Sequence, residues 1–170
     1  MLFWHIILIM YVCVSVELKA EGKARSIGVS NYGIHHIQEL LTLPAVSVKP
    51  AVNQIEISPY LPRDELVSFC QNHNIVTEAY SPLTKAARLK DPKLLAISAK
   101  YSVTPAQLLI QWCLQRHLIT IPTSANPSRI SENSDALTVF AGKPISASDL
   151  EEMRSWDEGL VTGWDPTTGP

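Results

Sequence analysis

Polar residue pairs follow the short apolar runs of this sequence, at the point where each run ends. Such residues supply the amide and hydroxyl groups that bind polar ligands. If the runs are parallel strands, the pairs lie at the carboxyl edge of one sheet, where α/β proteins bind ligands. A single Ser-Asn pair is also typical of a helix N-cap, so the repetition over four runs is what favours a ligand site. The pairs are Ser30-Asn31, Asn53-Gln54, Tyr80-Ser81 and Thr123-Ser124.

We find no other catalytic or metal-binding motif in the sequence that would indicate a different functional site. The sequence contains no G-x-G-x-x-G, no Walker loop and no G-x-S-x-G. Cys70 and His73 have the spacing of half a metal site, but nothing supplies two further ligands at a plausible distance. We therefore expect no metal and assign this pair to one face of an amphipathic helix.

The elements that position the polar pairs alternate along the chain in the order β-α-β-α-β-α-α-β-α-α. This order predicts parallel strands joined by right-handed crossovers. Thr104 followed by Pro105 predicts the N-cap of one helix, and Ser146 or Ser148 caps the last. The predicted strands are Ala24–Ser30, Ala51–Ile57, Ile75–Tyr80 and Leu118–Pro122. The predicted helices are His36–Leu43, Asp64–His73, Pro92–Tyr101, Thr104–Arg116, Pro127–Asn133 and Ser146–Asp157.

Composition excludes several classes of protein. The 170 residues suffice for one domain but fall short of a complete α/β barrel, which usually needs ~250. The net charge of −2 argues against a nucleic-acid partner, and 46% hydrophobic residues exclude a disordered chain. Three cysteines far apart in sequence give no disulfide framework, which favours a reducing compartment.

The first segment, residues 1–17, differs from the rest. Leu2–Val16 carries no charge, yet it is shorter than the ~20 residues of a membrane-spanning helix. A secretory signal would suit its length, but a basic start and a clear cleavage site are missing. Its β-branched residues also allow a buried strand. We favour a helix over a strand, and a helix that covers exposed sheet over one attached to a membrane.

Five motifs of residues 18–170 resemble the aldo-keto reductases. They are GKARSIGVSNY (Gly22–Tyr32), KPAVNQIEISPYLPRDEL (Lys49–Leu66), EAYSPL (Glu78–Leu83), VTPAQLLIQWCLQR (Val103–Arg116) and IPTSANPSRISEN (Ile121–Asn133). The resemblance runs from about Leu18 to Pro166. It implies an NADP-dependent oxidoreductase of aldehydes and ketones, folded as an (α/β)₈ barrel. Only strands five to eight match, so the implied fold is a partial TIM barrel of about four parallel strands with outer helices.

The resemblance also assigns cofactor contacts at the nicotinamide end. Ser30, Asn31 and Gln54 resemble the residues that bind the nicotinamide carboxamide, which needs both a donor and an acceptor. Tyr80 resembles the aromatic residue that stacks on the nicotinamide ring. Ser81 and Leu83 would line the pyrophosphate loop.

At the adenosine end, the resemblance assigns Ser124, Arg129, Glu132 and Asn133. Arg129 would meet the 2′-phosphate and the adenine face, and Glu132 with Asn133 would bind the adenine amino edge. Thr123 stands where the family usually has lysine, which leaves NAD as an alternative to NADP.

The catalytic Asp, Tyr, Lys and His of the family lie on its first four strands, and nothing in Met1–Glu21 matches them. We therefore assign no catalytic residue and expect no carbonyl reduction, since the proton donor is absent. Alternatives are a non-enzymatic remnant that binds a dinucleotide or a partner, and a gene-model fragment whose Met1–Val16 is not natural coding sequence.

The expected partner is a dinucleotide, with a small carbonyl substrate only where a complete site exists. Unpaired sheet edges in a half barrel also predict self-association. We expect a cytoplasmic protein, with membrane association or secretion through residues 1–16 as the alternative.

Overall fold

Four short parallel strands form one open sheet in the order β1-β2-β3-β4, as the alternation of the sequence predicts. The computed structural model describes residues 2–44 and 46–169. β1 pairs with β2 through Val29↔Asn53 and Ser30↔Gln54, and β3 pairs with β4 through Glu78↔Ile119. The strands are β1 (Val29–Ser30), β2 (Val52–Glu56), β3 (Val76–Tyr80) and β4 (Ile119–Ile121).

The helices lie where the hydrophobic spacing predicts them, with three additions. The predicted first strand, Ala24–Ser30, is shorter in the structure, although Ala51 N–H still donates to Ile27 O at 2.8 Å before it. The additions are α7 and two 3-10 helices, Thr84–Ala86 and Pro166–Thr168. The α-helices are α1 (Leu2–Ala20), α2 (Ile34–Thr42), α3 (Asp64–Asn72), α4 (Pro92–Tyr101), α5 (Pro105–Gln115), α6 (Pro127–Ser134), α7 (Ala136–Val139) and α8 (Ala147–Arg154).

The helix that we favoured for the first segment is confirmed as α1, and the alternative of a strand is wrong. Among its described side chains, Tyr11 is 70% exposed. Across the described residues, no helix combines the length and the apolar character that crossing a membrane requires.

The chain divides into two compact units. The first contains the residues up to Ile55, Asp64–Thr77 and the residues from Trp164 on. Its core is built from α2, α3 and β2, because their apolar residues lie on one face of each element. The buried members include Ile37, Leu40, Ile55, Val67 and Cys70.

The second unit contains Glu56–Arg63 and Glu78–Gly163. Helix α5 is its centre, with every residue from Ala106 to Cys113 buried. Thr104 caps α5 as predicted, and Pro105 occupies the first turn, where its missing N–H costs nothing. Ser146 caps α8, accepting from Asp149 N–H at 3.2 Å.

Candidate functional site

The structure brings together the three residues predicted to bind a carboxamide. Ser30 and Gln54 are register partners on β1 and β2. Gln54 O accepts from Ser30 Oγ at 2.9 Å and from Asn31 N–H at 2.8 Å. The backbone carbonyl of Gln54 thus holds both Ser30, the last residue of β1, and Asn31, the residue after it.

Asn53 is the residue that holds this turn in place. Its side chain is fully buried, its Nδ2 donates to Tyr32 O at 2.8 Å, and its Oδ1 accepts from Tyr32 N–H at 3.3 Å. The backbone of Asn31 is left-handed, with φ of 61°, which asparagine tolerates better than most residues. The sequence groups Asn53 with Gln54 as a polar pair, whereas the structure gives Asn53 a positioning role.

Tyr80 ends β3 as predicted, and Ser81 begins an unusual loop. Ser81 has φ of 48°, and Thr84, Lys85 and Ala86 have φ of 52°, 47° and 68°. Three successive left-handed residues other than glycine are energetically costly, and such strain clusters at functional sites. Buried Thr84 supports the loop, because its Oγ1 accepts from Arg88 N–H at 3.1 Å and donates to Leu83 O at 2.8 Å.

The carboxy-terminal part of the second unit contacts this loop, which the sequence does not predict. Lys85 Nζ donates to Thr162 O at 3.1 Å, and Arg88 Nε donates to Glu158 Oε1 at 2.7 Å. Glu56, only 4% exposed, accepts from Thr162 N–H at 3.1 Å and from the Thr162 hydroxyl. The sequence analysis does not identify this contact, and its one local signal is a carboxylate placed between two buried isoleucines, Ile55 and Ile57.

The residues predicted for the adenosine end lie on α6 and the loop before it. Asn126 caps α6 by accepting from Ser128 N–H at 2.9 Å, and its own N–H donates to Ser124 Oγ at 3.1 Å. Glu132 Oε1 accepts from Thr104 Oγ1 at 2.7 Å. Thr123 and Arg129 are exposed, and Asn133 is buried.

A cavity of about 340 Å³ brings only two of these residues together. Its walls come from α5, β4, the loop after β4, α6 and α7, and five of the nine lining residues are apolar, with Ser124 and Asn133 among the polar ones. Thr123, Arg129 and Glu132 are not among its walls. The lining residues are Ile110, Leu114, Thr120, Pro122, Ser124, Ile130, Asn133, Ser134 and Leu137.

A parallel sheet with outer helices and polar residues at its carboxyl edge defines an α/β fold of the class in which ligands bind at that edge. The comparisons with known proteins give the family. The model of the Aldo/keto reductase family matches residues 14–158, and the chain belongs to this family.

Relatives agree with that assignment. An aldehyde reductase of Saccharomyces cerevisiae is 46% identical over 150 residues, covering 87% of this chain and 48% of the relative. The glycerol 2-dehydrogenase (NADP(+)) of the same yeast is 38% identical over 152 residues, covering 88% of this chain and 49% of the relative. The chain thus spans about half the length of these relatives.

Solved structures confirm the predicted partial barrel. The crystal structure of Gox0644 in its apo form has a TM-score of 0.81 at 41% identity, covering 91% of this chain and 55% of that chain. MGS-M4, an aldo-keto reductase from a Medee basin deep-sea metagenome library, has a TM-score of 0.78 at 32% identity, covering 85% and 52%. The sheet of this chain is about half of the family's barrel.

Proposed function

We propose that the chain binds a nicotinamide dinucleotide as part of an NADP-dependent aldo-keto reductase. The observation that carries this proposal is the arrangement of Ser30, Asn31 and Gln54 around one backbone carbonyl. Membership of the family supports it, as does the name of the yeast relative that uses NADP(+).

The chemistry of the residues present fits the nicotinamide end of such a cofactor. A carboxamide offers one acceptor oxygen and two donor hydrogens, and the amides of asparagine and glutamine complement both. The hydrogen bond from Asn31 N–H to Gln54 O fixes the backbone of Asn31, so less backbone freedom is lost when a ligand binds there. Tyr80, half-buried at the end of β3, would supply the ring that stacks on the nicotinamide.

At the other end, the exposed guanidinium of Arg129 would meet the 2′-phosphate, and Glu132 the adenine amino group. Ser81 and Leu83 would line the pyrophosphate. Thr123 contributes no charge, so we propose a smaller preference for NADP over NAD than a lysine at this position would give.

The dinucleotide supplies a hydride when it is bound, and carbonyl reduction also needs a proton donor at the carbonyl oxygen. No residue in 1–170 matches the family's tyrosine acid. We therefore propose that residues 1–170 alone hold the cofactor without reducing a carbonyl. The second candidate, a non-enzymatic binder of a dinucleotide or a protein partner, is favoured by the same observation.

We also propose a cytoplasmic location. Cys13, Cys70 and Cys113 are free thiols, and free thiols persist in a reducing compartment.

The test is a calorimetric titration of the purified chain with NADPH and NADH. Gln54→Leu should weaken binding about tenfold, because it removes one partner of the carboxamide. Gln71→Leu, an exposed site on α3, is the matched control and should change nothing. Equal affinity in the wild type and Gln54→Leu would overturn the assignment. Steady consumption of NADPH with an aldehyde, above a blank without protein, would overturn the expected inactivity.

A further inference from the structure

The Thr104 hydroxyl connects the start of α5 to α6. Gln107 N–H donates to Thr104 Oγ1 at 3.2 Å, and Gln107 Oε1 accepts from Thr104 N–H at 3.1 Å, which closes a capping box. The hydroxyl has a single proton of its own. That proton goes to Glu132 Oε1 at 2.7 Å.

Gln107 makes a second connection to the same residue. Its Nε2 donates to Glu132 O at 3.1 Å, while its Oε1 stays in the capping box. Glu132 is therefore held at its backbone carbonyl and at one carboxylate oxygen, both by the first turn of α5. Gln107 is only 7% exposed, so water competes little for these bonds.

We propose that Thr104 is a positioning residue for the adenine end of the cofactor, acting through the Glu132 carboxylate. This inference rests on the proposed function. The bond from Thr104 restrains Oε1, which leaves Oε2 as the carboxylate oxygen that would accept from the ligand. An acceptor fixed in advance binds an amino group more tightly than a mobile one, because less freedom is lost.

The ligand chemistry provides a selective test. A dinucleotide with hypoxanthine in place of adenine has an acceptor oxygen where the 6-amino group stands, so it has no donor for Glu132 at that position. If Thr104 no longer positions the Glu132 carboxylate, the adenine dinucleotide should bind more weakly, whereas the affinity for the hypoxanthine dinucleotide should stay nearly unchanged.

The experiment titrates the full chain with both dinucleotides. Thr104→Val removes the cap and the donation, whereas Thr104→Asp keeps a capping acceptor but has no proton for Glu132. Both should reduce the ratio of adenine to hypoxanthine affinity about fivefold, as expected when an ordered side chain becomes mobile. Thr104→Ser should restore the ratio. Asp91→Ala, which removes the cap that accepts from Lys93 N–H at 2.9 Å on α4, should leave it unchanged.

Equal weakening of both dinucleotides by Thr104→Asp would mean that Thr104 only stabilises the fold, and would overturn the positioning role. A folded wild-type chain that binds neither dinucleotide would overturn the proposed function, and this role with it. Binding by the wild type with an unchanged ratio in the variants would overturn this inference alone.

Discussion

Gly33 lies so close to the carboxy-terminal residues that a Cβ on it would be 2.1 Å from Thr167 O. No real Cβ approaches an oxygen so closely, so only glycine fits at the start of α2. His35 Nε2, 3.0 Å from Gly169 O, lies in the same contact. This close approach holds the last residues of the first unit against α2.

Gly33→Ala should therefore displace residues 164–169. Backbone amides there should exchange with deuterium at least about tenfold faster, since the local opening free energy falls. Gly163→Ala is the control, because its Cβ would lie 3.6 Å from Lys85 Nζ, an ordinary contact. Unchanged exchange in Gly33→Ala would show that the contact is not tight.

The buried carboxylate of Asp149 predicts pH-dependent stability. It accepts from Lys100 Nζ at 2.7 Å, from the Tyr101 hydroxyl and from Ser146 Oγ at 2.8 Å. The hydrogen bond from Lys100 is the largest cause that lowers the pKa of Asp149, followed by the bond from Tyr101. A carboxyl with a lowered pKa in the folded state stabilises the fold above its unfolded pKa, and this stability is lost as pH falls through the folded pKa.

Asp149→Asn should accordingly lower the free energy of unfolding by about 2 kcal/mol at pH 7, because charged hydrogen bonds are lost. The difference from the wild type should shrink as the pH falls below about 4, the range in which a free aspartate takes up its proton. Urea unfolding at pH 7 and at pH 3 measures it. Glu151→Gln, whose carboxylate side chain is 76% exposed, should show almost no difference at either pH. A constant difference at all pH values would contradict the role of the charge.

In the left-handed loop after β3, we expect substitution by glycine to change the stability of the protein in opposite directions at two neighbouring positions. Ala86 has φ of 68°, which is costly for alanine, so Ala86→Gly should stabilise the protein by about 1 kcal/mol. Ala87 has φ of −62°, in the ordinary helical region, so Ala87→Gly should destabilise it by about 1 kcal/mol. Both residues are exposed, so no buried contact obscures the comparison. Thermal unfolding gives the two signs, and equal signs would contradict the loop conformation.

Local patterns in the sequence account for most of this fold. Thr104-Pro105 and Ser146 identify two helix starts because a side-chain cap is a short-range interaction. The four-residue helix α7 is not predicted, because Ala136–Val139 is too short to show a hydrophobic period.

The side-chain contacts within the candidate site are harder to predict from the sequence. Glu56 and Thr162 are 106 residues apart, and no local rule connects a strand carboxylate with a distant threonine. The sequence identifies Thr104 as a cap, and the resemblance proposes Glu132 as a cofactor contact, but the hydrogen bond between them depends on how α5 packs against α6. The resemblance to a family supplied the site residues, and the structure supplied the side chains that hold them.

Thr123 provides the final prediction, on cofactor preference. It is exposed in the loop after β4, at a position where the family usually has lysine, and it has no charge for a 2′-phosphate. Thr123→Lys should strengthen NADPH binding up to about fivefold, since an exposed ion pair contributes ~1 kcal/mol or less. NADH, which lacks the 2′-phosphate, should bind as before. Thr123→Gln is the matched control, because it lengthens the side chain without adding charge. Titrations at low and high salt measure the effect, which should fade as salt screens the new charge. The same gain for NADH as for NADPH would show that position 123 does not face the 2′-phosphate.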